Sequence, residues 1–319
     1  MEKQEFYDAV IEEIKDQIPE SLKEYIEIEV QEVNKTNDDK QMAVAIRLSP
    51  TGAAPVLYLN EFYEAYQDGE TIEDIASHIL CMTAEAGIRM PDFESMSMEY
   101  DDIQDKLTMQ MVEGERNKDR LQNLIYRPMD NGMVMIPYIE LGRDESGYYR
   151  APVTKEMAYD MNYDIDKLLA RAFDNLTENR VPALYEMESG PLNLTESLGD
   201  TNPMKDDFVI TGGSRMYILT NHMRDGGASV LFYPGMKERI GDLLGQNYYV
   251  LPSSLHEMII VPEHAGPTLE YLQQCVKDVN RTVAPQEVLS DKVFLFDRER
   301  NKLYEPKGRE RDGNERGDR

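Results

Sequence analysis

Ser253-Ser254-Leu255-His256-Glu257 is the segment with the densest set of reactive side chains. In an extended chain Ser254 and His256 project to one face and Glu257 to the other. A Ser–His couple is the core of nucleophilic catalysis, with a carboxylate to orient the imidazole. One expectation is therefore a hydrolase using Ser254 and His256, with Glu257 or an acid from elsewhere. Two features oppose it. The Gly-x-Ser-x-Gly elbow on a sharp strand-to-helix turn is missing, and Glu257 points away from its neighbour's ring. Turn chemistry explains the same residues. After Pro252, serine hydroxyls satisfy backbone amides and His256 donates to a carbonyl.

The other histidines are His78, His222 and His264. His256-Glu257 and Glu263-His264 look like a metal pair, but they sit at the two ends of one strand, and no common ligand spacing fits. No P-loop, Gly-x-Gly-x-x-Gly, Cys-x-x-Cys or His-Glu-x-x-His is present. The sequence predicts no metal and no cofactor. The two cysteines, Cys81 and Cys275, lie in apolar helical contexts and are expected to be inert core residues. Two widely spaced thiols fit a reducing compartment better than a disulfide scaffold. Tyr63 and Tyr66 share a helix face; core packing is expected for them, with a recognition surface as the alternative.

These residues need elements to hold them. Phe6, Val10, Ile14 and Ile18 repeat every four residues, which predicts an amphipathic helix ending at Pro19. Tyr25 to Val33 alternates as a half-buried strand, Asn37-Asp38-Asp39 turns, and Met42 to Leu48 returns. Val56 to Leu59 is a third strand. Asn60 is expected to cap a helix over 61–67 that stops at Gly69, and Thr71 with Asp74 to cap the next. Asp130-Asn131-Gly132 is a hairpin signal, with Pro128 placing its strand at a sheet edge. Asp225-Gly226-Gly227 is expected to join strands 215–219 and 229–233. The segment 181–206 holds three prolines without a clean period and reads as a linker.

The net charge is −27, from 61 acidic and 34 basic side chains. Residues 1–120 carry 29 acidic and 11 basic groups, so the first third is the more acidic. Such a surface repels phosphate backbones and anionic lipid, which disfavours direct nucleic-acid or membrane binding. It serves solubility, or, more specifically, a nucleic-acid mimic or a dock for a basic partner. The N-terminus has no apolar signal region, and no window approaches the ~18 apolar residues of a membrane span. The expected compartment is the cytoplasm.

Three segments together resemble a known group. They are Leu57-Tyr58-Leu59-Asn60-Glu61-Phe62-Tyr63 with Gly69, Leu219-Thr220-Asn221 with Gly226-Gly227-Ala228, and Leu251-Pro252-Ser253-Ser254-Leu255-His256-Glu257. The chain resembles a family of uncharacterised clostridial proteins known only as a domain of unknown function, over nearly its whole length. Its last third is similar to the YtpQ-type proteins of bacilli. The resemblance implies a bacterial cytoplasmic α+β protein and supplies no activity. Any functional site of the family would include Asn221, Ser253, Ser254, His256 and Glu257.

The expected architecture is α+β, with two lobes, each a small, mostly antiparallel sheet packed against helices. Residues 1–180 form an acidic N-terminal lobe, 181–206 a linker, 207–305 a C-terminal lobe and 306–319 a disordered charged tail. The expected function is a non-catalytic protein-binding or regulatory module with a protein partner. The hydrolase and the acidic nucleic-acid mimic are the alternatives.

Overall fold

The structure is a computed structural model that describes residues 1–47, 56–89, 97–144, 147–187, 201–210, 216–264 and 266–307. The segment 308–319, most of the expected charged tail, lies outside them. The fold is α+β. The chain forms two compact units, one of residues 1–103 with 140–151, the other of 104–139 with 152–319.

The first unit begins with α1 (Lys3–Gln17), whose four-residue repeat buries Phe6, Val10 and Ile14. Strands β1 (Glu27–Asn34), β2 (Lys40–Arg47) and β3 (Val56–Tyr58) form an antiparallel sheet in that order. The register sets Ile28 opposite Ile46 and Val30 opposite Val44. Val44 and Ile46 share one core with α1 and with two further helices, α2 (Leu59–Gln67) and α3 (Ile72–Arg89). On β1, Glu27 and Glu29 pair with the Arg47 guanidinium at 3.3 and 2.9 Å, and Glu32 pairs with Lys40 at 3.2 Å. A short helix, α4 (Tyr100–Ile103), follows.

Two local expectations are corrected here. Asn60 does not cap α2. The helix already starts at Leu59, and Asn60 Oδ1 accepts the Tyr7 hydroxyl instead. Cys81 is exposed, not core. The buried stripe of α3 runs through Ile75, Ala76, Ile79 and Thr83, and Cys81 falls between its turns. The Thr71 cap forms as expected, its hydroxyl accepting the Asp74 amide at 3.1 Å. Tyr63 and Tyr66 pack on Phe6, with ring centroids 5.3 and 5.1 Å away, and lie half-buried against the core.

The second unit holds β4 (Leu107–Glu113), β5 (Arg127–Pro128) and most of β6 (Met133–Asp144); β7 (Gly147–Pro152) also pairs with β6. Asn131 and Gly132 both take positive φ, 59° and 78°, and close the β5–β6 hairpin the sequence signalled. Pro128 sits on the edge strand, where its missing N–H breaks no ladder bond. Two helices follow, α5 (Lys155–Asp160) and α6 (Ile165–Asn179), capped by Thr154 and Asp164.

The remaining strands are β8 (Pro182–Glu186), β9 (Tyr217–Asn221), β10 (Tyr248–Pro252), β11 (Met258–Pro262), β12 (Phe294–Asp297) and β13 (Lys302–Tyr304). They form one antiparallel sheet in the order β13-β12-β10-β11-β9-β8. The helices α7 (Met236–Leu244) and α8 (Leu269–Asn280) belong to the same unit, and α8 buries Leu272 and Val276 against Leu251 and Val261.

Two stretches differ from their sequence reading. Residues 182–186, inside the expected linker, are a strand in full register with β9. Pro182 fits because it is the first residue of an edge strand. Residues 229–233 are not a strand. Gly227–Phe232 winds as a 3-10 helix with every residue buried. Ser229 locks that turn by donating its hydroxyl to the Gly226 carbonyl at 2.7 Å.

An ion network in this unit centres on a buried carboxylate. Glu113 is 5% exposed and receives Arg116 Nε at 3.2 Å and Lys292 Nζ at 2.7 Å. The Arg116 guanidinium also bonds Asp291, which in turn accepts Asn280 Nδ2 at 2.8 Å.

Candidate functional site

Asn221 ends β9 and is fully buried. Its side chain organises the turn that follows. Oδ1 accepts the Met223 amide at 2.9 Å and the Asp225 amide at 3.4 Å, and Nδ2 donates to the Asp225 carbonyl at 2.7 Å. This is the Asx-type use of a short amide to hold a loop. Arg224, next along, takes a positive φ of 53°, an uncommon conformation for a residue with a Cβ.

Gly226 also has positive φ, 63°, and its amide donates to His256 Nδ1 at 3.1 Å. A nitrogen that accepts an amide hydrogen carries no proton, so the neutral ring is protonated on Nε2. His256 is therefore an acceptor at Nδ1, where turn chemistry led us to expect a donor to a carbonyl. Asp225 Oδ1 lies 3.7 Å from the same nitrogen. Gly227 packs beneath. A Cβ there would overlap Thr220 Oγ1 and the His256 carbonyl oxygen, and would sit 2.8 Å from the Asn221 nitrogen. Thr220 donates its hydroxyl to that same His256 carbonyl at 2.7 Å.

The structure thus brings Asn221 and His256 into one bonded turn system. It does not join Ser254 to the imidazole. Ser254 Oγ accepts the His256 backbone amide at 3.1 Å, and the Ser254 amide donates to the Glu257 carbonyl at 3.3 Å. Leu255 fixes the loop from the other side by donating its amide to the Glu287 carbonyl at 2.9 Å. Ser253 and Glu257 are half-buried. His78 and His264 lie elsewhere and are exposed. His78 meets the Phe62 ring edge-on at 5.9 Å, and the His264 amide donates to Gln246 Oε1 at 2.8 Å. Among the described residues no group of three or more His, Cys, Asp or Glu could hold a metal ion.

A second place was not found from the sequence. An open hollow of about 710 Å³ is lined by Ile125, Ala158, Tyr159, Tyr163 and Ile165, with Lys155, Asp160 and Asn162 at its edges. Its walls are fixed by backbone bonds. The Ile125 amide donates to the Val153 carbonyl at 3.0 Å, and the Lys155 amide to Asn123 at 2.9 Å. Lys155 Nζ is turned onto the Leu121 and Gln122 carbonyls, at 3.3 and 2.6 Å.

Helix α5 ends in a Schellman turn. Tyr163 N bonds the Ala158 carbonyl at 2.9 Å, and Asn162 N bonds Tyr159 at 3.1 Å. Asn162 takes the positive φ that the motif requires, 50°. The corner buries Tyr163 and turns Tyr159 outward, where it is 85% exposed. Met161 and Ile165, nearby in sequence, are also exposed, as is Tyr126, the chain neighbour of Ile125. The signal was present in Asp160-Met161-Asn162-Tyr163-Asp164, an Asn stop followed by an Asp cap. It marks a tight helix corner with apolar residues outside either helical stripe.

The observed class is an α+β protein whose paired thiol, metal and P-loop signatures are lacking from the sequence. A family model matches residues 3–298, and the chain belongs to that family, DUF5688, a family of unknown function. No curated protein and no solved structure matches the chain. Among the described residues, no helix is long and apolar enough to cross a membrane.

Proposed function

We propose that this chain is a non-catalytic protein-binding module of the bacterial cytoplasm, and that it binds through the hollow at the α5–α6 corner. The observation that carries this reading is the exposure of Tyr159 beside Ile165 on a rigidly bonded frame. A tyrosine held 85% exposed gains nothing from folding. Large aromatic rings at the centre of a contact are the residues that dominate protein interfaces. The free thiols Cys81 and Cys275 fit a reducing compartment.

The alternatives have less support. A hydrolase needs Ser254 Oγ against the imidazole, and that hydroxyl is used on the His256 amide instead. A phosphate mimic needs bare carboxylates on one face, whereas those of β1 are paired with Arg47 and Lys40.

The test is an affinity capture from the native host, run in parallel with the wild-type chain and with Tyr159→Ala. The reading expects a near-stoichiometric protein recovered by the wild type and lost by the variant. Equal recovery by both would remove the corner from consideration.

A further inference from the structure

We infer that His256 is an acid-sensitive latch: a proton taken up at Nδ1 unfastens the loop 222–226 from the β10–β11 connection and turns the imidazole onto Asp225. The inference stands apart from the α5–α6 corner and from any partner bound there.

One atom carries it. In the neutral ring Nδ1 holds a lone pair, and the Gly226 amide donates into it at 3.1 Å. A proton added there makes Nδ1 a donor. Two donors then face each other at hydrogen-bond distance, and the bond is lost. A replacement acceptor stands beside it, because Asp225 Oδ1 lies 3.7 Å from the same nitrogen. Closing that gap forms a charge-assisted bond. The His256 and Asp225 side chains are 37% and 25% exposed, so the proton arrives from solvent. Gly226 is buried, and its released amide has to move outward to find water. The same loop holds Arg224 at a φ of 53°, backbone strain that the fastened turn maintains.

The surrounding charges leave Asp225 as the partner. On its loop His222 and Arg224 are exposed, and the Arg224 guanidinium lies 5.2 Å over the Tyr185 ring. Thr220 and Asn221 on β9, and the 3-10 turn Gly227–Phe232, carry no charge. Glu257 follows the histidine in the chain and is half-buried, and Glu287, whose carbonyl accepts the Leu255 amide, is exposed. The change is also local. The Thr220 hydroxyl on the His256 carbonyl at 2.7 Å, and the Ala228 amide on the Leu255 carbonyl at 3.3 Å, involve no titrating group. They keep the two connections together while the loop is freed, so the sheet stays closed.

The experiment follows the full chain by NMR from about pH 8 to about pH 5, the interval in which imidazoles ordinarily change charge. Nitrogen-15 shifts of His256 report which ring nitrogens carry protons. Hydrogen exchange, corrected for the intrinsic rate at each pH, reports the Gly226 amide. Its protection should fall at least about tenfold as Nδ1 gains its proton, with the Leu219 and Ile260 amides of the β9–β11 ladder unchanged. In His256→Gln, which cannot titrate, Gly226 protection should be the same at both ends of the range. Protection at Gly226 that survives a doubly protonated ring overturns the inference. So does a ring that keeps only its Nε2 proton at the acid end. Equal loss at Leu219 and Ile260, which is opening of the sheet, overturns it too, as does a pH dependence that persists in His256→Gln. The wild-type titration decides the first three outcomes even if the variant fails to fold.

Discussion

The Gly226 amide and His256 Nδ1 are hydrogen-bonded at 3.1 Å, across thirty residues of chain. One loop ends β9 and the other joins β10 to β11, so this bond ties two connections of the sheet together. It also fixes the tautomer. Nitrogen-15 NMR at neutral pH should show His256 protonated on Nε2. A spectrum with the proton on Nδ1 would refute the bond. His256→Ala leaves the Gly226 amide without this acceptor and should cost about 1–2 kcal/mol in urea unfolding.

Gly227 tests how tightly the same turn is packed. With a Cβ overlapping Thr220 and the His256 carbonyl, neither of which can retreat without breaking its own bond, Gly227→Ala should be severe. We expect a loss of about 3 kcal/mol or more, or failure to accumulate folded protein. Gly69→Ala is the useful control. Its positive φ of 110° strains a side chain, but nothing lies within 4 Å, so the loss should be smaller.

Ser254→Ala separates turn from catalyst. The hydroxyl satisfies one partly buried amide, so the variant should lose about 0.5–1.5 kcal/mol. Its behaviour against a panel of ester and amide substrates should match the wild type. Turnover that disappears on this single change would restore the hydrolase.

The Glu113 network predicts a pH dependence. The hydrogen bond to Glu113 raises the Lys292 pKa above its ordinary value of 10.5, and neighbouring carboxylates add to this. A cation whose folded pKa is raised stabilises fully below its unfolded pKa. That contribution is lost as pH climbs through the folded one. Lys292→Met should therefore be less stable than wild type at pH 7, by about 1–3 kcal/mol, since Glu113 keeps Arg116 but loses its shorter bond. The gap between the two proteins should close as pH rises past the ordinary 10.5 and through the raised folded pKa. A gap that widens there would contradict the assignment.

Tyr159→Ala should leave the melting temperature within about 2 °C of wild type, because an exposed ring contributes little to folding. This makes it a clean reagent for the binding experiments.

Much of the fold was legible because its signals are local. The four-residue repeat of Phe6, Val10 and Ile14 and the Asn131-Gly132 hairpin each follow from a backbone or burial preference that one short segment carries. The strand at 182–186 was not legible, since its pairing with β9 is set across a long sequence gap and Pro182 by itself reads as a loop residue. Residues 229–233 misled for the opposite reason. Their apolar run looks like a strand, but Gly226 and the Ser229 hydroxyl turn it into a buried helical coil. At the candidate site, the bonds of Asn221 to Asp225 are local and follow from the Asn-containing turn, whereas the bond of Gly226 to His256 spans thirty residues and depends on tertiary approach. Tyr159 was overlooked because an exposed tyrosine on a helix leaves no periodic trace.

The charge on β1 has a consequence for the protein's life at high concentration. Strand β1 is the outer strand of its three-stranded sheet, with one row of main-chain groups beyond the β2 ladder. Such a row is a template onto which a second molecule can add. Glu27, Glu29 and Glu32 outnumber the Arg47 and Lys40 that pair with them, so any copy of the same strand arrives with a surplus of negative charge. The acidity of this first unit thus works as a guard against self-addition. Replacing these glutamates with glutamine should leave the monomer folded while making it precipitate at concentrations the native chain tolerates.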